Sequence, residues 1–317
     1  MAQRPLVIVN QIDAEFGECL RGLPQAPQVI DHLDADFPWE IPPAAQALVT
    51  RALPAWRRAP DTQPWALPDL GWVQTYSAGI EIYPKWLLAG REVSCGRGLT
   101  SPQIAEYVLA AILRVEKNLE GLRVRSPSDW KDMAVGAIEG KCLGLIGFGS
   151  IGQEIAHRAR AFGMKIMALR RGDWPDPPDR LRPARDLAEI MAVSDHLVLA
   201  TPLTPDTAGM IGADALSLAK PGQHLINISR GGVLDQEALI AALDSGRLAQ
   251  ATLDVTTPEP LPEGHPLWSH PKVLLTPHVS YKGGVERQRF LSKVAHNLNA
   301  YLEGRPLLDA VDLERGY

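Results

Sequence analysis

KCLGLIGFGSIGQEIAHRARAFGMKIMALRRG, residues 141–172, decides how the rest of the chain is read. A short apolar strand runs into three glycines spaced G-x-G-x-x-G, an amphipathic helix follows, and a second strand ends in two arginines. In that context the glycines have separate tasks. Gly147 permits the tight turn out of the strand, Gly149 lets backbone approach a pyrophosphate, and Gly152 lets helix and strand pack closely. Phe148, Ser150 and Ile151 fill the places between them, and Ile151, Ile155 and Ala159 share one helix face. An anion bound here sits on the helix N-terminus, where orphan N–H groups and the macrodipole favour negative charge. At the end of the second strand, where an acidic side chain would accept from the ribose 2′-hydroxyl of NAD, stand Arg170 and Arg171. Two guanidinium groups suit a 2′-phosphate, so the expected cofactor is NADP(H), with NAD(H) as the alternative.

A chain of 317 residues exceeds what one core usually organises, and two domains are expected. Its composition, 45% apolar and 22% charged, is that of a globular protein, and a net charge of -5 offers nothing to nucleic acid or an anionic membrane. The opening MAQRPLVIVNQIDAEF has too short an apolar run for a secretory signal, and YVLAAIL at 107–113 is far below a membrane span. A cytoplasmic protein with no membrane or nucleic-acid partner is expected. Cys19, Cys95 and Cys142 form no C-x-x-C pair and have no histidine at ligand spacing, so no metal is expected. Cys142, inside the fingerprint strand, reads as a buried structural thiol.

Upstream of the fingerprint, apolar runs at 6–10, 28–30, 47–50, 72–76 and 92–94 are separated by polar or proline-bearing segments, the pattern of a small parallel α/β unit. Downstream the alternation is clearer, with strands at 196–200, 224–228, 249–255 and 273–275 and helices at 213–218 and 236–244. The proline-rich DWPDPPDRLRP at 173–183 reads as a rigid loop. Ile104, Ala105, Val108, Leu109 and Ile112 recur at helical spacing, and a long helix over 285–303 follows the last strand. The expected fold is α/β with two Rossmann-like or flavodoxin-like domains. A dinucleotide-binding domain, 99–284, would be inserted into a substrate domain made of 1–98 plus 285–317, and two crossings between them would make a hinged cleft.

A nicotinamide enzyme needs a group that holds the substrate and a proton donor beside the carbon that takes hydride. In INISRGGVLD, Arg230 lies just beyond a strand's carboxyl end, where open α/β sheets bind ligands, and its planar fork suits a carboxylate. A surface arginine at a Gly231-Gly232 turn fits the same spacing. His278 in LLTPHVS has the chemistry of an acid/base near neutrality. Glu259 in DVTTPEP, if it touched that imidazole, would favour the charged form and fix the tautomer. Read singly, each is as well explained as a solvated side chain.

Together the motifs are specific. N-x-S-R-G at 227–231, D-V-x-x-P-E-P at 254–260, H-P-L-W at 265–268 and T-P-H at 276–278 come in the order and spacing of the D-isomer-specific 2-hydroxyacid dehydrogenase family, and the chain resembles that family over nearly its whole length. TPLTPDTAGMIG at 201–212 and SAGIE at 77–81 also look like it. The resemblance implies reduction of a 2-oxo acid of the glyoxylate/hydroxypyruvate type to the D-2-hydroxy acid, with Arg230, Glu259 and His278 as the catalytic residues. It places Ala78 and Gly79, with Arg230 and His278, on the substrate, and Thr201, Pro202, Thr207, Ile228 and Asp254 on the cofactor. The helix over 102–117 resembles the family's dimer-forming helix, so a homodimer is expected, although the apolar stripe alone fits intrachain core equally. Val279, Ser280, Tyr281 and Glu81 depart from common family residues and put substrate identity in question. A bulkier substrate such as phenylpyruvate is the near alternative, and an NAD(P)-sensing, corepressor-like binding protein is the alternative of another class.

Overall fold

Strands β1 (Val7–Asn10), β2 (Gln28–Asp31), β3 (Ala47–Thr50), β4 (Trp72–Thr75) and β5 (Glu92–Ser94) of the computed structural model form a parallel sheet in the order β2-β1-β3-β4-β5. Residues 5–314 are described; 1–4 and 315–317, the outer limits of the expected substrate domain, lie outside the described residues. Parallel sheets are covered on both faces, and β3 and β4 are buried at every position. Helix α1 (Ala14–Arg21) starts where the Asp13 carboxylate accepts from the Phe16 N–H, and Arg287 grips the same carboxylate at 2.6 and 2.7 Å. That pairing, more than the backbone bond, holds the Asp13 carboxyl down at about 2. A short helix, α2 (Lys85–Leu88), precedes β5.

After α3 (Ser101–Lys117) come β6 (Cys142–Ile146), α4 (Ser150–Ala161), β7 (Lys165–Leu169), β8 (Leu181–Pro183), α5 (Leu187–Val193) and β9 (His196–Leu199). Then follow α6 (Ala213–Ser217), β10 (Gln223–Asn227), α7 (Gln236–Asp244), β11 (Leu248–Leu253) and β12 (Val273–Leu275). These strands build a second parallel sheet, β12-β11-β10-β9-β6-β7-β8. Its order reverses between β6 and β9, the switch point of a Rossmann fold; the first sheet has the flavodoxin-like order. The final helix, α8 (Glu286–Leu302), buries Phe290, Val294 and Leu298 among Ile8, Phe16 and Trp72. Met1–Leu99 with Gly284–Tyr317 makes one compact unit, and Thr100–Gly283 makes the other. Among the described residues no helix is long and apolar enough to cross a membrane.

One local expectation changes and one open alternative is decided. The proline-rich loop ends in a strand: Leu181–Pro183 pairs parallel with β7, which proline tolerates because this is the sheet's edge. The apolar stripe of α3 is intrachain core, since Ile104, Ala105, Val108, Leu109 and Ile112 are buried with Ile155 and Ala159 of α4. Cys142 is half-buried at the start of β6, and burial pushes its thiol up, as it does that of buried Cys95.

A buried polar chain crosses the second sheet. Lys141 Nζ donates to the Glu116 carboxylate, and Glu116 Oε1 lies 3.2 Å from His196 Nε2 without the alignment of a hydrogen bond. His196 Nδ1 meets His224 Nδ1 at 3.2 Å, and His224 Nε2 meets Thr252 Oγ1 at 2.9 Å. Desolvation pulls both imidazoles down, His196 to about 4 and His224 to about 3, with their mutual repulsion adding to the second. Below about pH 6.5 the unfolded chain binds protons that the native state refuses, so stability falls as pH falls. Each histidine contributes a loss of up to about 1.4 kcal/mol per pH unit. Urea midpoints should therefore be flat above pH 7.5 and decline steadily from 6.5 to 4.5, and His224→Gln should roughly halve that slope.

Candidate functional site

All strands of the second sheet run parallel, so their carboxyl ends share one edge, and backbone bonds tie that edge together. From β7 inward the N–H of Gly147 donates to Leu169 O at 2.8 Å and that of Ala200 to Ile146 O at 2.8 Å. On the other side, Asp254 N–H donates to Asn227 O at 3.0 Å and Thr276 N–H to Leu253 O at 2.9 Å. Each bond continues a strand pair by one residue before the chain turns away. The turns that follow carry Gly147, Arg170, Thr201, Ile228, Arg230, Asp254 and His278, so residues scattered over more than a hundred positions come to one edge.

The glycine turn fits a dinucleotide by shape. Gly147 has φ +103°, and a Cβ there would lie 2.4 Å from Ala200 O; one at Gly152 would lie 2.5 Å from Gly147 O. By contrast, a Cβ at Gly149 would meet nothing within 4 Å, which leaves backbone exposed to whatever lies over the turn. Gly149 is also the N-cap of α4 and supplies no side-chain cap, so the first N–H groups of that helix are left for an anion. Phe148 and Ile151 pack inward with the core, and Ser150 is the first residue of the helix. Arg170 directly follows Leu169, whose carbonyl pins the glycine turn, and Arg171 is exposed beside it. Thr207 Oγ1 donates to Pro202 O at 2.6 Å and accepts from Thr204 N–H at 2.8 Å, which closes the loop that starts at Thr201. Ile228 is buried beyond β10.

Arg230 stands on a turn that the sequence N-x-S-R-G builds. Buried Asn227 accepts from Ser229 N–H at 3.0 Å and Ser229 Oγ at 2.9 Å through its Oδ1, while its Nδ2 donates to Arg230 O at 3.1 Å. Gly231 is required next, because a Cβ there would sit 2.1 Å from the Thr256 carbonyl. That contact presses the arginine turn onto the loop carrying Glu259. Gln236 holds the same loop from α7, its Nε2 donating to Thr257 O at 2.7 Å and its Oε1 accepting from Thr257 N–H at 2.9 Å. Within the loop, Thr256 N–H reaches Glu259 Oε1 at 3.2 Å, and the Thr257-Pro258 and Glu259-Pro260 bonds are cis.

Glu259 Oε2 lies 3.1 Å from His278 Nδ1, so the structure joins two residues that spacing alone left apart. Their side chains are 42% and 40% exposed, open enough to exchange protons with solvent. His278 adopts a left-handed backbone, φ +51°, which costs a side-chain-bearing residue about 1–2 kcal/mol. Asp254 offsets that cost. Its carbonyl accepts from His278 N–H at 2.9 Å. Its carboxylate takes Thr276 Oγ1 at 2.6 Å and the N–H groups of Val279 and Ser280 at 2.9 Å each. Tyr107 of α3 completes the chain at 2.6 Å from Thr276 Oγ1. Asp254 is thus 1% exposed and clamps the histidine loop, and the anchoring by Asn227, Gln236 and Tyr107 had no sequence signal beyond the motifs themselves. Tyr281 stands edge-on to the His278 ring at 5.9 Å. Ala78 and Gly79 belong to the other compact unit, in the loop after β4, where Ser77 Oγ donates to Gly79 O at 2.7 Å. Among the described residues no group of three His, Cys, Asp or Glu is arranged to hold a metal.

Residues 108–280 match the family model described as D-isomer specific 2-hydroxyacid dehydrogenase, NAD binding domain. A glyoxylate/hydroxypyruvate reductase A of Yersinia enterocolitica is 30% identical over 302 residues, covering 85% of this chain and 93% of that protein. A glyoxylate reductase of Thermococcus gammatolerans is 43% identical over 168 residues, and the match spans 53% of this chain and half of that protein, 50%. Among solved structures, a D-isomer specific 2-hydroxyacid dehydrogenase of Xanthobacter autotrophicus, in complex with NADPH and MES, superposes with a TM-score of 0.82 at 27% identity over 99% of both chains. The chain therefore belongs to the D-isomer specific 2-hydroxyacid dehydrogenase family and is an NAD(P)-dependent oxidoreductase acting on 2-oxo or 2-hydroxy acids.

Proposed function

We propose that the protein reduces a small 2-oxo acid of the glyoxylate/hydroxypyruvate type to the D-2-hydroxy acid, with NADPH preferred over NADH. The observation that carries this reading is the His278–Glu259 pair at 3.1 Å on the same sheet edge as the arginine turn and the glycine cradle. Arg230 holds the substrate carboxylate through paired N–H donors and polarises the neighbouring carbonyl oxygen. A reduced nicotinamide bound over the glycine turn would supply the hydride for the carbonyl carbon. His278 directs Nδ1 to Glu259, which leaves Nε2 to give its proton to the oxygen as that oxygen becomes an alkoxide. Glu259 orients the ring and fixes its tautomer through that contact.

In this reading the unit Thr100–Gly283 is the dinucleotide-binding domain and the other unit the substrate domain. Gly147 to Gly152 would hold the pyrophosphate, Arg170 and Arg171 the 2′-phosphate, and Thr201, Pro202, Ile228 and Asp254 the nicotinamide end. The test is steady-state kinetics on glyoxylate, hydroxypyruvate, pyruvate and phenylpyruvate with each cofactor. Binding of NADPH without turnover of any of these would favour the sensing protein instead. Arg170→Asp should weaken NADPH at least about tenfold relative to NADH, since it replaces a phosphate donor by a like charge. An unchanged preference would move the phosphate contact elsewhere.

A homodimer is part of the same proposal. With the α3 stripe used internally, the apolar surface left near it is the segment that follows, where Leu119 is 70%, Trp130 82%, Met133 50% and Val135 51% exposed. Clustered exposure of this kind marks an association surface. Sedimentation should show a dimer that Trp130→Glu converts to monomer; a wild-type monomer at micromolar concentration would contradict it.

A further inference from the structure

We propose that Trp174 is a specificity-determining residue for the cofactor, holding the Arg170 guanidinium in place to receive the 2′-phosphate; this rests on the reading of Arg170 given above. Arg170 is exposed, and an exposed arginine ordinarily samples many rotamers. Here its guanidinium carbon lies 4.6 Å from the centre of the Trp174 ring, and one terminal nitrogen donates to the Asp173 carbonyl. Stacking occupies the face of the guanidinium plane. The in-plane N–H groups not turned to Asp173 remain available to an oxyanion.

The tryptophan is itself fixed. Its ring is half-buried against the core cluster of α3, α4, β6 and β7, and its centre lies 5.3 Å from that of Phe148, the residue between the first two glycines of the fingerprint. Pro175 follows it and restricts the Trp174 backbone to extended conformations. A rigid line thus runs from the glycine turn through Phe148 and Trp174 to Arg170. The proline-rich loop after β7, which served no purpose in the dehydrogenase motifs, becomes the support of the charge that tells NADP from NAD. A phosphate bound by a pre-positioned fork does not have to order that side chain.

The experiment measures equilibrium affinities of NADP⁺ and NAD⁺ by calorimetry for the full-length protein and for Trp174→Ala, Trp174→Phe, Arg170→Ala and the Arg170→Ala/Trp174→Ala double variant. Trp174→Ala should weaken NADP⁺ about fivefold and leave NAD⁺ unchanged, while Trp174→Phe, which keeps a π face, retains most of the affinity. The double variant should bind NADP⁺ no more weakly than Arg170→Ala alone, because the tryptophan acts through the arginine. Equal weakening of both nucleotides would overturn the proposal, making Trp174 a general wall of the site, and so would no weakening of either. If Arg170→Ala leaves the NADP⁺ to NAD⁺ ratio at its wild-type value, the cofactor reading fails and the proposal with it. If Arg170→Ala abolishes the preference while Trp174→Ala does not, only the proposal fails. Should Trp174→Ala unfold, Trp174→Phe against Trp174→Leu gives the same comparison with and without an aromatic face.

Discussion

His278→Ala should lower kcat for 2-oxo acid reduction by about a thousandfold while leaving NADPH affinity unchanged. Hydride arriving at a carbonyl carbon leaves charge on oxygen, and without a positioned donor that charge must be met by water, whose proton is far less acidic than that of an imidazolium. The substitution is structurally mild. The loop is held by backbone and Asp254 bonds at Thr276, Val279 and Ser280, none of which involves the imidazole, and alanine bears the left-handed backbone at a cost comparable to that of histidine. Pre-steady-state oxidation of bound NADPH separates the chemical step from product release. Glu259→Gln should have a smaller effect, about ten- to a hundredfold, because the amide can still orient the ring but no longer stabilises its charge. Activity that survives His278→Ala would remove the histidine from the mechanism and leave solvent or another group as donor.

The legibility of this protein in its sequence was uneven for physical reasons. The fingerprint region was clear because each glycine answers a local demand, a positive φ at Gly147 and a tight helix–strand approach at Gly152, and local demands are visible in spacing. Strands buried on both faces, such as Leu143 to Ile146, read as continuous apolar runs. The short edge strand at Leu181–Pro183 did not, since it has three residues, ends in proline and owes its existence to the neighbouring β7. The stripe on α3 has the right period for a second copy or for the chain's own core alike, because periodicity shows that a face is buried and not by what. At the site, Arg230, Glu259, His278, Asp254 and Asn227 stand in motifs, whereas Gln236 and Tyr107 act on partners 21 and 169 residues away, and no spacing rule links Tyr107 to Thr276. The stack of Arg170 on Trp174 lay within reach, four residues apart, but nothing in a proline-rich loop says which way an indole turns.

Arg230→Lys should lower kcat/KM for the 2-oxo acid by about a thousandfold, nearly as much as Arg230→Ala, because the change that matters is geometry more than charge. A guanidinium offers two parallel donors to a carboxylate and a further N–H to the adjacent carbonyl, and an ammonium at the end of a flexible stem cannot present both at once. Loss of two charge-assisted bonds at roughly 2 kcal/mol each amounts to about 4 kcal/mol, which is the thousandfold. The turn beneath should survive the loss of the Arg230 guanidinium bond to Ser229 O at 2.9 Å, since Asn227 engages the Arg230 carbonyl and the Ser229 N–H and hydroxyl, and Gly231 sets the approach to Thr256. Cofactor affinity is therefore expected to stay near wild type, which distinguishes a lost substrate contact from a collapsed loop. Added guanidine should restore part of the activity of Arg230→Ala and none of that of Arg230→Lys, whose ammonium fills the vacated space. If Arg230→Lys instead retained wild-type kcat/KM, a point charge would suffice, and the arginine would be steering the substrate electrostatically without gripping it.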